Sequence, residues 1–308
     1  MTVSIDTDLI RQFERVLNPA NMDKIDIPVK VLGYGEISTV FQLEAQPELA
    51  LKRMPLFKTE TEAHIYIKQY RDYCNHLKSA GIQLPEDDLI ALNIPNRPVV
   101  VYIGQKQLPA ESFGHHLIHR LDQTHFSDFL VHVCEEIGKI WKFNQDNAPE
   151  IELAIDGQLS NWALRNHDPD ALYYIDTSTP LFRFKGKEQL DPELFLQSAP
   201  PFLRWIIRWL FIKDVMNRYY DQRQVFIDLA ANLFKEQRAD LVPLAITVIN
   251  NHLSDATQAL SYEEVEKYYK EDRLIWSLFL AFRRFDRWLK TGLLRQRYEF
   301  LLPGKIKR

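Results

Sequence analysis

The stretch Val29–Met54, VKVLGYGEISTVFQLEAQPELALKRM, decides the fold. Val29-Lys30-Val31-Leu32 has strand composition, Gly33-Tyr34-Gly35-Glu36 reads as a turn, and Ser38–Leu43 is β-branched, aromatic and partly alternating, a second strand. Pro47 marks a further turn, and Leu49–Met54 a third short strand. A Gly-x-Gly can also open a dinucleotide-binding turn, but there a helix comes at once and meets the pyrophosphate with its N-terminus. Here strand formers come next, and no alternating βαβ pattern appears. The glycines therefore sit in a strand–turn–strand hairpin. Glycine is scarce, 10 of 308 residues, so two in one turn suggest backbone that must approach a ligand closely. An ordinary hairpin turn is the alternative.

Outward from this hairpin the pattern stays simple. Residues 6–18 read as a short amphipathic helix and residues 59–78, free of Gly and Pro, as a longer one. Pro85 and Pro95 punctuate the next segment, and Val99–Ile103 is a buried strand. Beyond about residue 110 helices take over. Phe126, Phe129, Leu130, Val133, Ile137, Ile140 and Trp141 recur at three and four, one core-facing stripe. Residues 151–176 hold a β interlude, with Asn161–Arg165 and Ala171–Ile175 flanking the turn Asn166–Asp170. Asp191-Pro192-Glu193 is a helix start, and Ser261 with Glu264 a capping box opening a helix to about Leu289. The expected fold is α+β and bilobal: a small β-rich N-terminal lobe, residues 1–108, and a larger, mainly helical C-terminal lobe, residues 109–308.

Composition excludes several classes. Apolar residues are 46% and charged residues 26%, ordinary for a globular chain, and a net charge of −4 gives no general pull on nucleic acid, so none is expected as a partner. The charge is uneven: Ala281–Arg308 carries nine Lys/Arg and two Asp/Glu, so an anionic partner could bind the basic C-terminus. Phe282, Phe285 and Leu289 keep core spacing there, which makes a solvated helix face with a buried edge the alternative. Cys74 and Cys134 form no CxxC and read as buried thiols of a cytoplasmic protein. The N-terminus lacks the apolar region of a secretory signal, and no apolar run is long enough to span a membrane. His115, His116 and His119 with Glu111 could ligate a metal if helical, but read more simply as an exposed polar helix. Phe202–Phe211, with Arg204 and Arg208 four apart, is a core helix with a charged edge or a surface helix. Its Trp205 and Trp209, with Asp214, Tyr219, Tyr220 and Asp221, could line an acceptor pocket suited to a cation.

The residues that carry chemistry come in a particular order. Lys52 lies on the third strand, and Glu60 and Glu62 open the next helix. A strand lysine held by a helix carboxylate is a fixed positive charge for phosphate oxygens. Asp156 and Asn161 lie five apart in a loop, and Asp176 comes after them across the hairpin, which can bring Asn161 and Asp176 together. An amide oxygen and a carboxylate converging there suit Mg²⁺, and Asp156 is left to take a proton from a hydroxyl. Each residue alone could be a solvated lysine or a turn-capping side chain.

Glycine hairpin, strand lysine, helix glutamate, Asp-x4-Asn, hairpin, Asp: over Val29–Asp176 this series resembles the protein kinase-like superfamily, closest in style to the aminoglycoside and choline phosphotransferases. The resemblance implies that Gly33, Gly35 and Ser38 cover the phosphates of ATP. Lys52 would contact those phosphates, held by Glu62 with Glu60 as the alternative. It implies Asp156 as catalytic base, and Asn161 and Asp176 as Mg²⁺ ligands. The implied activity is ATP- and Mg²⁺-dependent phosphoryl transfer to a small-molecule hydroxyl. The sequence departs from the pattern at Ala154, where the family has histidine, and at Thr177-Ser178, where it has Phe-Gly, and it lacks an activation segment after them. Those departures motivate an alternative, a catalytically inactive pseudokinase serving as nucleotide-binding or scaffold module.

Overall fold

Residues 3–22, 25–35, 37–166, 168–191, 194, 213–253 and 257–304 are described by a computed structural model. Asp6 starts the first helix, α1 (Thr7–Val16), its carboxylate accepting from the backbone N–H of Asp8 and Leu9 at 3.0 Å. The β-hairpin then forms from β1 (Val29–Tyr34) and β2 (Thr39–Leu43), and β3 (Gln46–Phe57) pairs antiparallel with β2. The second turn falls at Glu44-Ala45, two residues before the position expected from Pro47, which lies inside β3. That strand also runs past Met54, with an irregular register between Met54 and Phe57, around Pro55, which has no N–H for the ladder.

α2 (Glu60–Ser79) is next, then β4 (Asp87–Leu92) and β5 (Val99–Lys106). The five strands make one antiparallel sheet in the order β1-β2-β3-β5-β4. α1 covers one face, packing Ile10 and Phe13 on Phe41, Leu51, Val100 and Tyr102. On the other face α2 sets Tyr66, Tyr70 and Cys74 against Met54, Val101 and Ile103. A strand covered on both faces needs no polar alternation, and this is why Val99–Ile103 is apolar throughout.

The chain continues through the short α3 (Gly114–Leu117) to α4 (Gln123–Asn147), whose stripe Phe126, Phe129, Leu130, Val133, Ile137 and Ile140 is buried as its spacing predicts. Next come β6 (Ile151–Leu153), the hairpin β7 (Trp162–Arg165) and β8 (Asp168–Tyr174), then β9 (Phe182–Phe184) and β10 (Lys187–Glu188). β6, β9 and β10 form a small sheet, in the order β10-β9-β6, that the residue pattern does not announce. α5 (Lys213–Arg218), α6 (Gln222–Lys235), α7 (Val242–Asn250) and α8 (Tyr262–Trp288) follow. α4, α6, α7 and α8 share a second core through Val133, Ile137, Phe226, Ala230, Ile249 and Val265. The expected cap of α8 is present, Glu264 N–H donating to Ser261 Oγ at 3.2 Å.

After α8 the chain turns back onto the five-stranded sheet. Tyr298 and Phe300 join the α2 side, and Leu301 joins the α1 side. Between them Glu299 enters a buried ion cluster. Arg53, 1% exposed, donates to both Glu14 carboxylate oxygens at 2.8 and 2.6 Å, to Glu299 O at 2.7 Å and to Glu299 Oε2 at 3.0 Å. Arg97 and the Tyr102 hydroxyl also donate to Glu14. Burial would push the Glu14 carboxyl up, but Arg53 and Arg97 hold it below its ordinary value. Phe282 and Phe285, expected at the buried edge of α8, are instead exposed, because α8 turns its other side to the core.

Both cysteines are free and buried, and burial pushes the Cys74 thiol up to about 12. Among the described residues no helix is long and apolar enough to cross a membrane. The helix start at Pro192-Glu193 and the stretch Phe202–Phe211 lie outside the described residues, as does the side chain of Asp214.

Candidate active site

Gly33, Gly35, Ser38, Lys52, Asp156, Asn161 and Asp176 line one cavity of about 730 Å³. The β1–β2 hairpin forms one wall. Gly35 N–H donates to Ser38 O at 3.0 Å and closes the turn. A Cβ on Gly35 would stand 2.8 Å from Ser38 Oγ, while a Cβ on Gly33 would meet nothing within 4 Å. A Cβ on Gly35 would thus crowd the Ser38 hydroxyl, and Gly33 leaves cavity space open beside the backbone.

Lys52 reaches the cavity from β3, because its neighbours Leu51 and Arg53 point to the opposite face of the sheet. Its ammonium donates to Asp176 Oδ1 at 2.8 Å and to Ser178 Oγ at 3.0 Å, and Ser178 Oγ donates in turn to Asp176 Oδ1 at 2.9 Å. Burial opposes ionisation of Asp176, but Lys52 and Ser178 outweigh it and hold this carboxyl below its ordinary value. The β7–β8 hairpin brings Asn161 alongside: Ile175 N–H donates to Asn161 O at 2.9 Å. The Asn161 amide nitrogen donates to Asp156 O at 3.1 Å, which ties the two ends of the Asp156 loop and leaves the amide oxygen as an acceptor.

Glu62 does not join this group. Its carboxylate accepts from Lys58 N–H at 2.7 Å, capping the start of α2, and Glu60 is exposed in the same turn. A carboxylate at the third position of a helix can reach back to a backbone N–H just ahead of the helix, and here that contact takes Glu62. What α2 extends toward the site is a ladder of tyrosines. Tyr66 OH donates to Ser178 O at 2.7 Å, Tyr70 OH accepts from Thr177 Oγ1 at 3.0 Å, and Tyr73 OH donates to Ala154 O at 2.9 Å. Burial raises all three hydroxyl pKa values well above the ordinary one, so they serve as neutral partners. Ala154 and Thr177-Ser178, the departures from the superfamily pattern, are the positions these tyrosines hold.

Asp156 sits on the floor of the cavity. Its Oδ1 accepts from Gln158 N–H at 3.1 Å. Burial, then the negative charges of Asp228 and Asp176, push its carboxyl well above the ordinary value. Gly157, beside it, is glycine for packing reasons: a Cβ would stand 2.7 Å from Val225 Cγ1 and 2.9 Å from Ile137 Cδ1.

The far wall comes from α6 and α8, and sequence reasoning missed it. Asp228 lies on α6, and burial and the charge of Asp272 push it up to about 6. Gln158 and Tyr268 hydrogen-bond it, and Lys235 donates to Gln158 Oε1 at 3.0 Å. Val225, Asp228, Asn232 and Lys235 keep helical spacing, so polar residues interrupting an apolar stripe were the available signal. His115 and His116 also line the cavity, so the histidine segment is not simply an exposed helix. Burial, with His116 and Lys235 nearby, lowers His115 to about 4 and keeps it neutral. Among the described residues no three His, Cys, Asp or Glu form a metal-holding cluster. Asp176 and Asn161 offer one carboxylate and one amide oxygen, a donor set that suits Mg²⁺ when phosphate oxygens complete it.

A mixed α+β chain with a lysine–aspartate pair and three carboxylates at one cavity now has a family. It belongs to DUF6206, a family of unknown function, whose model matches residues 13–287. No curated protein matches it. Among solved structures, "WaaP in complex with acyl carrier protein" is similar at a TM-score of 0.34 and 14% identity, over 80% of this chain and 99% of that one. A likeness of that size assigns nothing to this chain.

Proposed function

We propose that this protein is a phosphotransferase of bilobal, kinase-like design, which moves a phosphoryl group from ATP to the hydroxyl of a small-molecule acceptor. The observation that carries this reading is convergence. Gly33, Lys52, Asp156, Asn161 and Asp176 come from separate segments and meet at one cavity, with Lys52 paired to Asp176 across 124 positions. In this reading the Gly33–Ser38 hairpin covers the triphosphate, and Lys52 exchanges the Asp176 carboxylate for phosphate oxygens. Asp176 and Asn161 hold Mg²⁺, which neutralises charge on the transferred group. Asp156, made more basic by its surroundings, takes the acceptor's proton as its oxygen attacks. The tyrosine ladder keeps the segments carrying Asp156 and Asp176 in register.

Titrating the full chain with ATP, with and without Mg²⁺, tests the reading through the melting temperature. A rise that needs Mg²⁺ and disappears in Lys52→Ala is expected. No rise with ATP or GTP overturns nucleotide binding. Asp156→Asn should abolish transfer and leave the ATP-dependent rise intact. The position of Glu62, away from Lys52, favours a second reading, a nucleotide-binding module without catalysis. That module would give the same melting shift with no transfer and no ATP hydrolysis over a broad panel of acceptors.

A further inference from the structure

α8 carries an apolar surface on the side turned from the helical core. Leu274, Phe285 and Trp288 are 61%, 47% and 60% exposed, and Leu278 and Phe282 continue the same stripe. Their spacing by three and four residues puts them on one line of the helix, and Leu293 and Leu294 extend it past the C-terminus of α8. Five large apolar residues in one exposed line is more than scattered surface exposure. The stripe has a charged flank. Arg273, Arg284 and Arg287 keep helical spacing along one side of it, with Arg273 and Arg284 exposed. From Arg273 to Arg297 there are seven Lys/Arg and a single acid, Asp286, which is buried and paired with Lys290 at 2.9 Å. The other flank is the cavity wall, where Ile275, Trp276 and Phe279 face the site, and Leu278 and Phe282 belong to both surfaces.

We propose that this face of α8 docks the protein on an anionic lipid bilayer, with Leu274, Phe285 and Trp288 inserted at the headgroup boundary and the arginine flank against lipid phosphates. An aromatic and leucine line beside an almost purely basic flank matches such a surface in both its apolar and its charged layer. A second copy of the chain presents the same basic flank and so opposes itself. Docked in this way, the rim formed by Leu278 and Phe282 opens the cavity toward the headgroups. The inference is independent of phosphoryl transfer, since it concerns a surface and not the reaction.

Sedimentation of the full chain with vesicles tests it. Phosphatidylcholine vesicles are compared with vesicles carrying about 30 mol % phosphatidylserine, at about 0.1 M and about 0.5 M salt. The protein is expected on the anionic vesicles at least about tenfold more than on the neutral ones, less so at high salt. Leu274→Ser/Phe285→Ser/Trp288→Ser should lower that binding by about tenfold or more, since its three positions are exposed and outside the cavity. Arg273→Glu/Arg284→Glu should lower it similarly and flatten the salt dependence, which keeps the test intact if the triple variant melts early. Equal binding to both vesicle types, or none to either, overturns the proposal. So does full binding by both variants, or a solution dimer that the triple variant dissolves.

Discussion

Asp228→Asn should make this protein more stable at neutral pH. Asp228 and Asp156 line one cavity with Asp176 and Asp272, where Lys52, Lys106, Arg218 and Lys235 also stand. Burial and Asp272 lift Asp228 from 3.8 to about 6. A raised carboxyl binds its proton more tightly folded than unfolded, so its ionised form destabilises the fold. That cost is complete above the folded value and absent below the unfolded one. A rise of this size corresponds to about 3 kcal/mol, an upper bound for a side chain that keeps some contact with solvent, so about 1–3 kcal/mol is expected. For a chain of this length that is a melting shift of roughly 2–5 °C. Asparagine keeps the oxygen that Gln158 and Tyr268 bond. The assay is thermal unfolding of both proteins at about pH 8 and about pH 4. A gain at the higher pH that vanishes at the lower is expected. Equal gains at both, or a loss at pH 8, would refute the assignment of strain to the ionised carboxylate. In a transfer assay the same substitution should move the acid limb of the rate profile downward, because Asp228 is, after burial, the main charge raising Asp156.

Glu14→Gln removes the carboxylate between Arg53 and Arg97 and should cost about 3–5 kcal/mol at pH 7, read by urea unfolding. Because Glu14 is depressed below 4.5, wild type keeps this contribution above that pH and loses it as pH falls through the lower folded value, so the gap should narrow in acid. Tyr73→Phe leaves the Ala154 carbonyl without its hydroxyl donor and should cost about 1–2 kcal/mol in the same measurement. Gly157→Ala should cost about 1–3 kcal/mol through contact with Val225 and Ile137. Gly33→Ala, with open space around it, should leave unfolding unchanged, yet weaken any ATP-dependent rise in melting temperature by narrowing the cavity.

Local rules made the hairpin readable. Val29–Leu43 has the residues strands need and turn residues where the chain reverses, and Phe126–Ile140 keeps one helical stripe for four turns. The nearness of Asn161 and Asp176 was readable for another reason: a short hairpin fixes their relation, so sequence distance translates into space, and the Asn161 amide ties the Asp156 loop to them. β4 escaped because Asp87-Asp88-Leu89-Ile90 carries acids at its start and does not alternate. Glu62 was misplaced because a carboxylate in the first turn of a helix has two destinations, a distant lysine or the nearby free N–H groups, and composition does not choose between them. Asp228 and Lys235 act through Gln158, at least seventy positions away, and nothing local points from one to the other.

The ion cluster at Arg53 has a consequence in time. Its last carboxylate, Glu299, lies 246 residues after Arg53. At roughly 5–20 residues per second, a ribosome needs on the order of ten to fifty seconds to make the residues between them. From Lys106 onward in that interval the sheet bearing Lys52 has its strands and both covering helices, but Arg53 has Glu14 alone, and the hydrophobic places of Tyr298, Phe300 and Leu301 are open. The five-stranded sheet is therefore finished only after the helical segments that separate its strands from Tyr298 have been made. A nascent chain in that state exposes apolar surface beside the strand that carries the site lysine, and a chaperone would find it there.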